Sequence, residues 1–181
     1  KKLTIPDGCK VIEASKNLLT ELIIEGPVNE IKCSDNKLIT LEVPDSCIVL
    51  QCRNNNLTKL KFKGNCKNIH CANNDLEKLI IPEGAIEVSC ENNKLTYLEI
   101  PSGCKKVVCT NNKLKEIRFP VGCYIKADPD TILIEKKSQT PDFGKTDKAI
   151  SDLILKIKNP TLRSIADLLT KELPEINVAD K

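Results

Sequence analysis

Residues 104–114 read CKKVVCTNNKL, and the stretch recurs along the chain. CKNIHCANNDL occupies 66–76, CIVLQCRNNNL 47–57, AIEVSCENNKL 85–95 and VNEIKCSDNKL 28–38. A weaker copy, CKVIEASKNLL, occupies 9–19, and a decayed one begins at Cys123. Cys33, Cys52, Cys71, Cys90 and Cys109 therefore fall every 19 residues. So do Asn36, Asn55, Asn74, Asn93 and Asn112, and so do Leu38, Leu57, Leu76, Leu95 and Leu114. A fixed short period of this kind marks a solenoid, in which no unit buries its apolar face alone and stacked units share one core.

Within each unit the apolar-x-Cys step alternates with period two, as a short strand does. Val107 and Cys109 then point inward, and Lys106, Val108 and Thr110 point outward. Strands of successive coils would stack in parallel about 4.8 Å apart. The periodic Asn follows the strand. Its amide can satisfy backbone groups that are orphaned where the coil turns, which predicts a ladder of Asn36, Asn55, Asn74, Asn93 and Asn112. A second column, Asn54, Asn73, Asn92 and Asn111, is expected to face solvent.

The return path is short: TYLEIPSG separates Leu95 from Cys104. Leu98 and Ile100 are expected to face in, and Pro101 favours an extended, polyproline-like path with no room for a helix. Taken together, the motif resembles the leucine-rich-repeat signature L-x-x-L-x-L-x-x-N-x-L, with Cys at two Leu positions, over roughly residues 3–133. The L-x-x-L-x-I-P spacing is similar to the short repeats of the Yersinia YopM and Shigella IpaH effector families. The Asn- and Lys-rich composition with core Cys resembles Legionella leucine-rich-repeat effectors. The resemblance implies a parallel sheet on the concave face, an extended convex side, and a protein secreted into a host cell to act in its reducing cytosol.

Ten cysteines in 181 residues admit three readings: disulfides, metal ligands or small buried hydrophobes. They fall in two columns, Cys33, Cys52, Cys71, Cys90, Cys109 and Cys9, Cys47, Cys66, Cys104, Cys123. Val28 and Ala85 substitute in the second column, which a ligand or disulfide partner would not tolerate. No C-x-x-C pair exists and the single His70 is outward, so no metal or cofactor is expected. Free buried Cys is the preferred reading, and it implies a reducing compartment. Cys33-Ser34-Asp35 matches the C-x-D letters of IpaH-type ubiquitin ligases, but it sits in the repeat register with Cys33 turned inward, so no catalytic residue is assigned.

Hydrophobic residues are 40% and charged ones 29%, consistent with a folded, soluble chain, and aromatics at 3% imply a thin core of small repeated contributions. A net charge of +3 lacks the clustered basic surface that nucleic acid requires. No apolar run is long enough to span a membrane. The chain starts at Lys1 within the repeating pattern and is read as an excised fragment. Its first strand, 9–14, is expected to leave an edge open to self-association.

The solenoid is expected over 1–134, as about six to seven repeats, with a polar linker at 135–146. Residues 147–174 read as two helices. Asp147 caps the first, which carries Ala149, Ile150, Leu153, Ile154 and Ile157 on one face; Pro160 starts the second, which carries Leu162, Ile165, Ala166, Leu169 and Leu173. They either cap the solenoid or form a hairpin for a partner.

Solenoids work through an extended face. The outward positions form a strip, of which Gln51, Arg53, Asn68, His70, Glu87, Ser89, Glu91 and Lys106 are the candidate partner-binding residues. Its mixed charge suits a protein partner better than phosphates. The leading expectation is a protein-interaction module of a bacterial effector. The alternatives are the substrate-recognition part of a larger enzyme, and a bacterial surface adhesion repeat. The cysteine reading makes a direct prediction. Without reductant, a chromogenic disulfide reagent should find ten thiols once the chain is denatured, and a smaller number would show that some are oxidised or liganded.

Overall fold

The computed structural model describes residues 1–136. The expected helices, and the linker beyond Lys136, lie outside the described residues. The chain winds as a parallel β-solenoid of about seven turns, and every strand pairing is parallel.

One seven-stranded sheet runs along the solenoid, with strand order β2 (Val11–Glu13), β4 (Glu30–Lys32), β6 (Val49–Gln51), β8 (Asn68–His70), β9 (Glu87–Ser89), β11 (Lys106–Val108), β13 (Tyr124–Lys126). The register follows the 19-residue period: Ile31 faces Leu50, Leu50 faces Ile69, and Ile69 faces Val88. These central residues are fully buried, as are Cys33, Cys52, Cys71, Cys90 and Cys109 two positions later. The other thiol column is buried too, except that Cys9 in the first coil is only partly covered. Val28 and Ala85 are equally buried in that column, so thiols and small aliphatics occupy equivalent core sites.

Burial raises the thiol pKa throughout the inner column, Cys33, Cys52, Cys71, Cys90 and Cys109, because a thiolate there would lose its hydration without gaining a counter-charge. It pushes Cys33, Cys71 and Cys109 up to about 12. Cys66 is pushed up first by a hydrogen bond with the Cys47 thiol of the neighbouring coil, and then by burial. The thiolate is the nucleophile and the metal ligand, so Cys33 and its column behave as apolar core groups.

The turn after each strand carries two ladders. In the buried one, Asn74 donates from Nδ2 to the carbonyls of Cys52 (3.1 Å) in the previous coil and Cys71 (3.0 Å) in its own. Its Oδ1 accepts from the Leu57 amide at 3.0 Å. Asn36, Asn55, Asn93 and Asn112 repeat the pattern. The second column is exposed, as expected, and it too is organised. Asn54, Asn73, Asn92 and Asn111 hold φ between 53° and 56°, the left-handed region that Asn tolerates better than other side chains. Their amides form a surface chain: Asn73 donates to Asn54 at 2.6 Å, Asn92 to Asn73 at 2.7 Å and Asn111 to Asn92 at 2.7 Å.

The return side departs from a polyproline-like path. It is extended, but much of it pairs as strands: β1 (Lys2–Ile5) with β3 (Glu21–Ile24), β5 (Thr40–Val43) with β7 (Lys59–Phe62), and β10 (Leu98–Glu99), β12 (Glu116–Pro120) and β14 (Ile132–Lys136) together. The prolines sit at the ends of these pairings, where a missing N–H removes no rung except at the strand's last residue, Pro120. Leu98 and Ile100 are buried as expected. The segment 77–81 joins no ladder, so the return-side pairing is interrupted at that coil.

The last coil also departs from the expected register. Lys106 pairs with Tyr124, one residue short of the period, so Ile125 and Ala127 pack against the core and Asp128 does not turn inward. Its carboxylate instead accepts from the amides of Asn111 (2.8 Å) and Asn112 (3.2 Å). In earlier coils those amides bond carbonyls of the next coil, as Asn92 does with Thr110 at 2.9 Å. Asp128 supplies the missing acceptors where the regular repeat stops. At the other end, β2 is the outer strand of the seven-stranded sheet.

The two Asn columns should respond differently to substitution. Asn74→Ala leaves the buried Leu57 amide unpaired and takes one of two side-chain donors from each of the Cys52 and Cys71 carbonyls, and should cost about 2 kcal/mol or more. Asn73→Gly removes two side-chain bonds, to Asn54 and from Asn92, but both are exposed and the backbone angle is one glycine prefers, so it should cost no more than about 1 kcal/mol. Urea denaturation measures both, and equal losses would show that the buried ladder does not govern the turn.

Candidate functional site

The face of the seven-stranded sheet is where side chains are free to vary, because the inward positions and both Asn columns are committed to the coil. Its expected site residues come from four adjacent strands, β6, β8, β9 and β11, and from the turns that follow them. Two registers run along it: Gln51, His70, Ser89 in one, and Arg53, Ala72, Glu91 in the other, each 19 residues apart.

Four of the eight expected residues form one network across three coils. Arg53 donates from Nη2 to His70 Nδ1 at 3.1 Å and to Ser89 Oγ, two coils away, also at 3.1 Å. Ser89 Oγ in turn donates to Glu91 Oε2 at 2.7 Å. A guanidinium can only donate, so Nδ1 of His70 accepts and the ring proton sits on Nε2. To reach Ser89, the Arg53 side chain must cross the coil between them. Ala72 stands there in Arg53's own register and is buried, as is Ser89, although both positions are outward by alternation. The sequence pattern read these two as open surface; the Arg53 side chain bonds Ser89 from two coils away, past the coil that carries Ala72.

The remaining residues divide. Glu87 accepts from Lys106 Nζ at 2.7 Å, and this bond holds the Glu87 carboxyl below its ordinary range. Gln51 joins Arg53 and His70 in lining a small open pocket of about 170 Å³. Asn68 is half-buried one step along β8, and neither its side chain nor that of Gln51 makes a hydrogen bond among the described residues. The structural residues Asn36, Asn55, Asn74, Asn93 and Asn112 and the inner Cys column lie beneath or beside the sheet and are not part of this face.

The charges on the strip are mostly matched. Lys32 bonds Glu13 and Glu30, each at 3.1 Å, and Lys106 bonds Glu87. Arg53 is different: among the described residues no carboxylate lies within ion-pair distance of it. Partial burial lowers the His70 pKa, and the neighbouring Arg53 charge lowers it further, while Glu87 and Glu91 pull the other way. The imidazole is therefore neutral at pH 7. Among the described residues no group of three or more His, Cys, Asp or Glu side chains could hold a metal ion. No helix there is long and apolar enough to cross a membrane.

The return side carries larger clefts. One of about 510 Å³ is lined by Ile80, Tyr97 and Lys136 among others, beside the unpaired segment 77–81. Sequence reading did not single it out, because only the interruption of the return-side ladder opens it. It has apolar walls and a polar cluster of its own, in which Glu99 accepts from Tyr97 Oη and Lys136 Nζ, each at 3.3 Å, but these groups are exposed, whereas Ser89 in the sheet-face network is buried.

No family model, curated protein or solved structure matches the chain.

The single histidine reports directly on the network. Its NMR titration midpoint should fall below the ordinary value of about 6.5. Arg53→Ala should raise it, since a neighbouring positive charge is removed. Because the folded protein resists protonating His70, stability should decline as pH falls below about 6.5 and level off once pH is under the lowered midpoint. His70→Gln should flatten that part of the profile.

Proposed function

We propose that this chain is a protein-recognition module of leucine-rich-repeat type, belonging to a bacterial effector that binds a host protein on the face of its seven-stranded sheet. The observation that carries the reading is the Arg53–His70–Ser89–Glu91 network. It spans three coils of the sheet and leaves guanidinium and imidazole N–H groups without an acceptor among the described residues. Rigid side chains with unspent polar valence are what a specific interface uses, and Arg is over-represented among residues that dominate binding energy.

The surrounding surface supports the same reading. Matched pairs at Lys32 and Lys106 would form a polar rim, and half-buried Val49 and Val108 add apolar contact. Alternating charge of this kind neither follows a phosphate backbone nor concentrates positive potential. Ten free thiols, nine of them buried, accord with a reducing compartment such as a host cytosol.

The test is affinity capture from host-cell lysate with matched variants. Arg53→Glu and His70→Ala should each weaken capture of the same partner by at least about 2 kcal/mol, or roughly thirtyfold, as expected for central interface residues. Tyr97→Ala, on the return side, should leave it unchanged. Loss with Tyr97→Ala and retention with Arg53→Glu would place recognition in the return-side cleft instead.

A further inference from the structure

The return side carries a second surface, away from the seven-stranded sheet. We propose that the hollow between β7 and residues 80–83 docks an extended acidic segment of a protein partner, with an aliphatic side chain seated against Ile80 and flanking carboxylates on Lys59, Lys61 and Lys78. This goes beyond the sheet-face reading and does not rest on it.

Charge is the first observation. Residues 58–67 carry Lys59, Lys61, Lys63 and Lys67 and no carboxylate, whereas each of the other return segments holds at least one acidic residue. The β5–β7 register sets Thr40 beside Lys59 and Glu42 beside Lys61, and Glu42 reaches Lys63 at 3.6 Å. The 19-residue period puts Lys78 one coil on from Lys59 in the same outward column. Lys59, Lys61 and Lys78 are exposed, and among the described residues none lies within ion-pair distance of a carboxylate. Like charges in neighbouring coils repel, and the fold leaves that repulsion without an offsetting anion.

Shape is the second. Residues 77–81 enter no strand pairing and no backbone hydrogen bond among the described residues, so the return side opens on both flanks of Ile80. Leu79 and Ile81 are buried and pin the segment to the core, while Ile80 between them is 68% exposed. On the β7 flank a hollow of about 440 Å³ is lined by Leu60, Phe62, Ile80 and Pro82, together with Lys61, Lys63 and one carboxylate, Glu83. It has room for a leucine-sized side chain with cations beside it.

The two observations select one class of partner. A purely aliphatic ligand would leave the ammonium groups uncompensated, and a small anion would leave Ile80 in water. An extended chain presents every second side chain to the same side, about 7 Å apart, so an aliphatic residue with acidic residues two positions before and after it meets both needs. Nucleic acid is the poorer match. Its affinity comes from many phosphates met in succession, whereas these cations occupy two adjacent coils with Glu42 and Glu83 next to them.

The experiment titrates the full chain with the acetylated, amidated peptide Glu-Glu-Leu-Glu-Glu and follows backbone amides by two-dimensional proton–nitrogen NMR. Gln-Gln-Leu-Gln-Gln and Glu-Glu-Ser-Glu-Glu are the uncharged and the non-aliphatic controls. The first peptide should shift the amides of residues 59–63 and 79–83 saturably, and each control should bind at least about fivefold more weakly. A variant carrying both Lys59→Gln and Lys61→Gln should weaken binding by a similar factor, and so should Ile80→Ser. Lys2→Gln, at a return-side lysine already paired with Glu21, and Arg53→Glu, on the sheet face, should leave it unchanged. An unchanged thermal midpoint in the variants excludes unfolding as the cause. Absence of saturable binding, equal binding of the three peptides, undiminished binding by the double lysine variant or by Ile80→Ser, or loss with Arg53→Glu would each overturn the inference. Binding to phosphatidylserine vesicles in preference to the peptide would overturn it too, and would make this a membrane-facing surface instead.

Discussion

The buried asparagine ladder is the interaction on which the rest of the molecule depends. A coil that leaves a parallel sheet after three residues abandons backbone groups that water cannot reach, and each buried orphan costs on the order of 1–3 kcal/mol. Asn is the side chain that answers this need. It offers two donors and an acceptor on a single carbon stem, which is what the turn asks for: an acceptor for the Leu amide of the preceding coil and donors for one carbonyl in each coil. Asp has no donors, and Gln is one methylene too long for the same reach. Because every such Asn bonds both its own coil and the previous one, neighbouring coils stabilise one another in a chain of nearest-neighbour contacts. Where that chain stops, a different residue must finish it, and the Asp128 carboxylate does so on the amides of Asn111 and Asn112.

With the turn fixed in this way, the side chains sort into independent sets. The core takes whatever small apolar group fills the layer, so thiols, Val28 and Ala85 are interchangeable in one column. The residue before each ladder Asn sits at positive φ, which accounts for Asn and Asp35 in a column that faces solvent; Lys16 in the first coil holds the same angle. The outward sheet positions carry no structural duty. They form a long, regular array that can change without disturbing the coil, and they are where a network has been built that the fold does not need.

Much of this was legible in the sequence, and the limits have physical causes. Period 19 and the alternation around each Cys place Ile31, Leu50, Ile69 and Val88 inside and give the register of the sheet. The return strands were not legible, because Leu-x-Ile-Pro is compatible with either polyproline or strand geometry and only the stacking of coils decides between them. The register slip at the last coil was hidden because Cys123 keeps the period while Tyr124 does not. The network on the sheet face was hidden for a different reason. Alternation says which residues point outward, but Arg53 reaching Ser89 is a matter of rotamer and of a small residue at Ala72 lying in its path. That clue is present in the sequence as the one Ala among the outward residues Ser34, Arg53, Ala72, Glu91 and Thr110, and it acquires meaning only once the coils are stacked.

The burial of Ala72 and Ser89 also bears on how the face could bind tightly. A free Arg side chain has about 2 kcal/mol of rotamer entropy to lose on immobilisation, and interfaces that must freeze several such chains give up much of what their contacts contribute. Here the ordering is done within the protein, by hydrogen bonds to His70 and Ser89 over a surface small enough to lie on. The three N–H groups at Nε and Nη1 are then held in a fixed plane. Neutral His70 matters to that arrangement as much as Arg53 does. A protonated ring would lose the acceptor at Nδ1 and set two positive charges side by side, releasing the guanidinium from one of its two anchors. Burial and the Arg53 charge both keep the proton away, so the same two causes that lower the His70 pKa keep the face in its ordered form at neutral pH.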